Sequence, residues 1–183
     1  MENDELRSLT ASERLTLEEE FDMQRKWRED DDKLTFIVLA RHERDPLLDD
    51  EENLMPSDPR ILSLPMAGDV NMFLNGAPEE GDEFTAEVEI MIAEPDYRRG
   101  GLALEALQLM LQYATANKFL PEERSVPTGF PKSSPLPVPP SSLVARIGDT
   151  NLPSIRLFEK LGFKIMKHIK VFNEVEMKLR YLS

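Results

Sequence analysis

The alternation of apolar and polar positions predicts a chain that mixes helices with strands. Thr16, followed three residues later by Glu19, forms a capping box that predicts the start of a helix. Strands are predicted at residues 34–40 and 66–74, and the alternation at residues 84–93 predicts a third. One face of this third strand is apolar and the other carries two carboxylates; the faces comprise Val88, Ile90 and Ile92, and Glu87, Glu89 and Met91.

A change of period after the third strand predicts a helix from Leu102 onward. Its polar side carries Glu105, Gln108 and Gln112. Its apolar side comprises Ala103, Ala106, Leu107, Met110 and Ala114. The chain therefore passes from strand through a short turn into an amphipathic helix.

The last third of the chain is predicted as a strand, a helix and a hairpin. The strand covers residues 143–147 and the helix residues 153–161, with Gly162 just past its end as a stop signal. Residues 163–168 and 170–181 predict the two strands of the hairpin.

Two segments lack any periodicity. Residues 41–64 are acidic and contain three prolines, which predicts a flexible connection between strands. Residues 121–141 are proline-rich and predict an extended insertion rather than a domain boundary, within a single domain of residues 1–183. Residues 137–140 fit the minimal P-x-x-P pattern, so this insertion either binds a proline-reading partner or serves as a spacer.

Composition and charge narrow the function classes. The 183 residues are 40% apolar, as in a globular domain, and their net charge of −13 disfavours nucleic-acid and membrane-surface partners. The sequence contains no cysteine, which excludes disulfides, thiolate zinc sites and a cysteine acyl intermediate, and no metal site is expected. The chain shows neither a secretory signal nor an apolar run of bilayer length, so we expect a cytoplasmic protein, with the nucleus as the alternative.

The turn before the amphipathic helix has the chemistry of a phosphate site. Residues 98–103 read Arg-Arg-Gly-Gly-Leu-Ala and match the pattern [Q/R]-x-x-G-x-[G/A]. The first amides of a helix lack intrahelical partners and lie at the positive end of its dipole, and glycine allows a pyrophosphate to approach them. The alternative is a tight turn that needs glycine for its geometry alone.

A second segment, residues 151–163, matches N-x-x-S-x-x-[L/F]-[Y/F]-x-K-x-G-F at every specified position. Together the two motifs resemble the signatures of the GNAT acetyltransferase superfamily, in the same order. Residues 9–13, 35–39, 68–71 and 91–95 resemble the N-acetyltransferase-nine-like branch of that superfamily. Nearly the whole chain is covered, apart from the acidic connection and the proline-rich insertion.

The resemblance implies an α/β, mixed α+β, GNAT fold: a central, mostly antiparallel twisted sheet, flanked by helices and splayed at the acetyl-CoA site. It implies that the strand ending at Ile92 separates from the one beginning at Leu143, opening a slot for the pantetheine arm. It also implies a set of acetyl-CoA contacts, namely Ile90, Met91, Ile92, Arg98, Arg99, Gly100, Gly101, Leu102, Ala103, Asn151, Ser154 and Phe158. Members of the branch begin with a further strand, so we expect this first strand to be missing here and residues 35–39 to form an apolar edge.

The reaction needs a base, because an amine attacks the thioester only when it is unprotonated. Glu89 is the first candidate and Glu87 the second, acting directly or through water; the alternative is that they are solvated or form ion pairs. Backbone amides near Met91 and Ile92 are expected to polarise the acetyl carbonyl.

The departing thiolate needs a proton or must leave unaided. Phe158 stands where many members of the superfamily have a tyrosine that protonates the thiolate, so Tyr113 or water takes this role, or the thiolate leaves as it is. His42 and His168 are predicted to be structural.

The predicted function is direct acetyl transfer from acetyl-CoA to an amine, without a covalent enzyme intermediate. The expected acceptor is a protein α-amine or lysine, and a small amine is the alternative within the same class. A second class is a catalytically silent protein that binds coenzyme A or a partner; members of the branch have been associated with microtubules.

Overall fold

A computed structural model describes residues 13–41, 55, 57–77, 84–116 and 138–180 of the chain. In chain order, its α-helices are α1 (Leu17–Glu29), α2 (Pro59–Leu62), α3 (Leu102–Thr115) and α4 (Leu152–Lys160). Its strands are β1 (Lys33–Leu39), β2 (Met66–Asn75), β3 (Thr85–Ile92), β4 (Leu143–Gly148), β5 (Phe163–Ile169) and β6 (Glu174–Leu179). Short 3-10 turns cover Pro95–Tyr97 and Pro140–Ser142. None of the helices in these ranges is long and apolar enough to cross a bilayer.

The six strands form one sheet in the order β1-β2-β3-β4-β6-β5. The sheet is mostly antiparallel and open, with helices on its flanks, which confirms the predicted fold class. β3 and β4 run parallel, and their recorded pairs are Ala86 with Leu143 and Glu87 with Val144. Among the described strands, β1 lies at one end of the order, and the side chains of Phe36 and Ile37 are exposed.

The chain divides into two compact units. Among the described residues, unit 1 contains residues 13–35, 71–77, 84–89 and 138–180, and unit 2 contains residues 36–41, 55, 57–70 and 90–116. Because the two units alternate along the chain and share β1, β2 and β3, they are not successive domains, and the single domain of residues 1–183 stays a prediction.

Unit 1 is built on the hairpin of β5 and β6 and on its pairing with β4. β6 is antiparallel to β4, with Ile147 opposite Val175 and Ala145 opposite Met177. All four of these side chains are buried. In α1 the capping box is formed as predicted, because the Thr16 hydroxyl accepts from the Glu19 amide while the Glu19 carboxylate accepts from the Thr16 amide.

Unit 2 is built on α3. The predicted apolar side of this helix is buried at Ala106, Leu107, Met110 and Ala114. The prediction that Gln112 lies on the polar side was wrong, because its side chain is only 5% exposed. Leu111 and Thr115 are buried as well, so the apolar face of α3 is broader than the sequence pattern indicated.

Two further sequence predictions need correction. The segment at residues 41–64 is not without structure throughout, since α2 forms inside it. Asp58 caps this helix by accepting from the Arg60 amide at 2.8 Å. In the hairpin, the second strand begins at Glu174 rather than at residue 170, because Asn173 adopts a positive φ of 55° that ends the turn. Residues 42–54, 56 and 117–137 lie outside the described residues, so flexibility of the connection and the role of the proline-rich insertion stay predictions.

Candidate functional site

The loop between β3 and α3 has the backbone geometry of an anion site. Arg99 and Gly101 both have positive φ, of 65° and 94°. Gly101 is the N-cap of α3 and supplies no side chain to its amides. The first helical hydrogen bond is donated by the Glu105 amide to the Gly101 carbonyl at 3.1 Å. The amides of Leu102, Ala103 and Leu104 therefore precede the first intrahelical bond and can donate to a ligand.

The same loop leaves room for a ligand. Arg99, Gly100 and Gly101 are exposed. A Cβ built at Gly100 or Gly101 would meet no protein atom within 4 Å. The requirement for glycine at position 101 therefore comes from its left-handed backbone, not from crowding by the protein. Free space, helix-start amides without an intrahelical partner and the positive end of α3 together fit the pyrophosphate of coenzyme A.

The side chain of Arg98 points back to the end of β3. Its Nε donates to the Ile92 carbonyl at 2.9 Å, and its Nη2 donates to the Ala93 carbonyl at 3.0 Å. Its own amide donates to the Pro95 carbonyl at 3.0 Å. Arg98 thus connects the loop to the strand, and the phosphate contact that the resemblance implies for it stays a prediction.

The end of β3 also approaches β2 closely. A Cβ at Gly68 would overlap the Met91 carbonyl oxygen and lie 2.9 Å from Ile92 Cα. Beyond this point the Glu94 amide donates to the Ala67 carbonyl at 3.2 Å. Ile90, Met91 and Ile92 are half-buried and are the last residues of β3. The absence of a Cβ at Gly68 leaves room for the backbone of Met91 and Ile92.

In unit 1 the two candidate bases differ in environment. Glu87 accepts a hydrogen bond on Oε2 from Nη1 of Arg146, whose Nη2 donates to Glu176 at 3.1 Å. This cluster links β3, β4 and β6. An ion pair of this kind was the predicted alternative to a catalytic role for Glu87. Burial raises the pKa of Glu87, and the charge and hydrogen bond of Arg146 oppose that rise. Glu89 is exposed.

The second motif forms the start and the buried face of α4. The Asn151 side chain caps the helix, accepting from the Ser154 amide at 3.2 Å. Phe158 is 2% exposed and packs edge-on against Phe163, with ring centroids 5.1 Å apart. The motif therefore holds the helix and the core of unit 1, and contacts of Asn151, Ser154 and Phe158 with coenzyme A stay predictions.

Tyr113, the alternative proton donor, lies in unit 2 beside an apolar cavity of about 340 Å³ between α3 and β1. Its ring meets Phe36 edge-on, with centroids 5.5 Å apart. His168 is exposed on β5, and His42 lies outside the described residues.

Sequence reasoning missed Gly68 and Arg146. Gly68 lies in a segment used only for the family resemblance, and the need for glycine there follows from the approach of β3. Arg146 interrupts the otherwise apolar run of β4, which was the available signal that it pairs with a carboxylate.

Comparisons with known proteins agree with these features. A family model described as an acetyltransferase (GNAT) domain matches residues 11–164. The chain is 40% identical over 181 residues to the N-acetyltransferase 9-like protein of Caenorhabditis briggsae, covering 98% of this chain and 73% of that protein. It is 40% identical over 179 residues to the alpha/beta-tubulin-N-acetyltransferase 9 of Mus musculus, covering 98% of this chain and 61% of that protein.

A solved structure shows the same fold. The crystal structure of spermidine N-acetyltransferase from Vibrio cholerae in complex with CoA and spermine matches with a TM-score of 0.62. The match covers 96% of this chain and 82% of that chain at 15% sequence identity. It supports the assignment of the sheet and helices described above.

Proposed function

Because the chain belongs to the GNAT family of acetyltransferases, we propose that it acetylates an amine of a protein or peptide, either an α-amine or a lysine. The chain transfers an acetyl group from acetyl-CoA to an amine. The loop at residues 98–103 is the observation that supports binding of acetyl-CoA, since the start of α3 has no side-chain cap and Gly100 and Gly101 have open space beside them.

The name of one relative supports a protein acceptor, and the net charge supports a cationic acceptor of either kind. A mouse relative that is 40% identical is named for tubulin. The net charge of −13 favours positively charged acceptors, such as a protonated lysine or a free N-terminus, in the first encounter. Tubulin is therefore a candidate source of the acceptor peptide, beside a small amine as the alternative acceptor.

Acetyl-CoA supplies the activated thioester, and the residues of the chain bind and orient it. Amides at the start of α3 hold the pyrophosphate, and the backbone near Met91 and Ile92 donates to the acetyl oxygen as negative charge develops there. Glu89 removes a proton from the attacking amine, directly or through water. Glu87 is the second candidate, since its carboxylate accepts from Arg146 on Oε2 and keeps further lone pairs that can accept a proton.

We propose direct transfer, with which the absence of cysteine from the sequence agrees, since no thiol is available for an acetyl-enzyme. The thiolate of coenzyme A leaves unaided or takes a proton from water or Tyr113, because Phe158 has no acidic proton. A thiol pKa of about 8.5 makes the thiolate an adequate leaving group.

The test is turnover of acetyl-CoA with three acceptors: a peptide with a free α-amine, the same peptide with a blocked N-terminus and one lysine, and a polyamine. We expect one of the two peptides to gain one acetyl group by mass spectrometry and to be used with the highest kcat/KM. If only the polyamine is acetylated, the acceptor is a small amine rather than a protein. Binding of acetyl-CoA without turnover of any acceptor would favour the silent, coenzyme-binding protein.

The base is tested by Glu89→Gln, with Glu87→Gln as the matched variant on the same face of β3. If Glu89 is the base, its variant loses about 10²-fold in kcat near neutral pH and recovers part of it in alkali, where more of the amine is unprotonated. The same result for Glu87→Gln alone would transfer the role to Glu87.

A further inference from the structure

The backbone at the end of β3 departs from regular strand geometry. In a regular strand, successive carbonyls point to opposite edges. The carbonyls of Ile92 and Ala93 do not alternate in this way, because the guanidinium of Arg98 donates to both of them, at 2.9 and 3.0 Å. The fork of an arginine is planar and rigid, so both carbonyls must face the same side. The chain therefore turns between these two residues, directly after β3.

The peptide before this turn is oriented by Gly68. The Met91 carbonyl oxygen lies where a Cβ of residue 68 would stand. Gly68 does not have a left-handed φ, so space and not backbone torsion makes glycine necessary there. The described residues contain no cis peptide, and in a trans peptide the N–H points opposite to the C=O. The Ile92 N–H is therefore directed away from Gly68.

From these two contacts we propose that Gly68 and Arg98 are positioning residues for the acetyl carbonyl. Gly68 lets the Met91 carbonyl turn towards β2, which aims the Ile92 N–H at the site of the thioester. Arg98 fixes the peptides that follow by binding the Ile92 and Ala93 carbonyls. This inference rests on the proposed function, and it gives the Arg98 side chain a role at the acetyl end of the substrate rather than at the phosphates.

The variants Gly68→Ala and Arg98→Ala test the proposal on two different elements. A misdirected backbone donor lowers stabilisation of the developing oxyanion, so both variants should lose at least about tenfold in kcat. The affinity for coenzyme A, measured by calorimetry, should stay within about threefold because the amides of α3 are untouched. The infrared carbonyl stretch of bound ¹³C-acetyl-CoA should lose most of the shift that separates it from free acetyl-CoA.

Matched controls are available for both variants. Gly148→Ala adds a methyl group to a strand glycine where a Cβ meets nothing within 4 Å, and Arg28→Ala removes a charge from the exposed face of α1. Both should keep kcat and the carbonyl stretch of the wild type. Arg98→Gln removes the charge but keeps an amide that can donate to a carbonyl, so it should retain more kcat than Arg98→Ala at equal affinity for coenzyme A.

Two results would overturn the proposal. A parallel loss of affinity for coenzyme A and acetyl-CoA in Arg98→Ala and Arg98→Gln, with kcat unchanged, would make Arg98 a phosphate ligand. A lower melting temperature with unchanged kcat and carbonyl stretch would make both residues structural. If Gly68→Ala fails to fold, the two Arg98 variants decide. If the wild type turns over no amine, the proposed function fails, and the infrared measurement on bound acetyl-CoA still decides this inference.

Discussion

The two signature motifs match their family patterns equally well, yet the structure uses them in different ways. The loop at residues 98–103 is exposed at Arg99, Gly100 and Gly101, and the start of α3 has no side-chain cap on its amides. The motif at residues 151–163 is buried at Phe158 and Phe163 and contributes a helix cap and core packing. The first motif is the one for which we propose a ligand, and the second caps α4 and packs in the core of unit 1.

The difference shows that a motif match does not say which of its residues touch the substrate. A glycine with φ of 94° is required by its backbone torsion and leaves open space in which a ligand fits, whereas a phenylalanine against another aromatic ring fills the core. Substitutions in the first motif should therefore change binding, and substitutions in the second should change stability.

The largest expected effect is on stability in the second motif. Phe158→Ala removes a buried ring and leaves a cavity beside Phe163, which should lower the free energy of unfolding by about 3–5 kcal/mol. Phe158→Tyr places a hydroxyl in the same apolar surroundings and should cost about 1–3 kcal/mol. Urea denaturation measures both. A stable Phe158→Tyr protein with raised kcat would instead place this side chain at the departing thiolate.

The next effect is on binding in the first motif. Gly101→Asp adds a strained side chain and a negative charge in front of the α3 amides, so the affinity for coenzyme A should fall by at least about 100-fold. Gly101→Ala introduces the same backbone strain without the charge and should lose less. Calorimetry on folded variants separates strain from repulsion. Equal affinities of wild type and Gly101→Asp for coenzyme A would show that the phosphates do not bind at this loop.

A smaller effect is expected at the start of α4. Asn151→Ala removes the acceptor for the Ser154 amide and should cost about 1 kcal/mol of stability. Asn151→Asp keeps the acceptor and serves as the matched control. If Asn151→Ala weakens binding of coenzyme A more than it lowers stability, the second motif contacts the substrate after all, and the contrast between the motifs is less sharp.

The smallest effect concerns Glu87, on the strand that precedes the first motif. Burial raises its pKa, so the folded protein holds a proton on this carboxyl more readily than the unfolded chain does. The resulting stability is complete below the unfolded pKa and is lost as pH rises through the higher folded pKa. The stability of wild type relative to Glu87→Gln should therefore fall from acidic to neutral pH in thermal melts. A rise would show that the Arg146 ion pair outweighs burial.

Local patterns were enough to predict most helices and strands. The capping box at Thr16, the change of period at Leu102 and the stop at Gly162 each act within a few residues, and α1, α3 and α4 follow them. Helix α2 was missed although Asp58 and Pro59 are good start signals. The acidic, proline-containing segment around them predicts a flexible connection, and a helix of four residues is too short to show a period.

The features that could not be predicted from the sequence depend on contacts with residues far away along the chain. Gln112 is polar, and its burial follows from the packing of α3 rather than from its own spacing. The pairing of Arg146 with Glu87 joins side chains 59 residues apart and requires the register of β3 and β4. Glycine is necessary at position 68 only because the backbone of β3 lies against it in the folded chain. In each case the chemistry is visible in the sequence, and the partner is not.

The most direct test of the contrast between the two motifs is a titration of the ¹⁵N-labelled chain with coenzyme A, followed by amide NMR. Direct contact with the pyrophosphate should give the largest shifts at the amides of Gly100, Gly101, Leu102 and Ala103, with much smaller changes at Ile155 and Phe158. Unmoved loop amides together with large shifts along α4 would contradict the account.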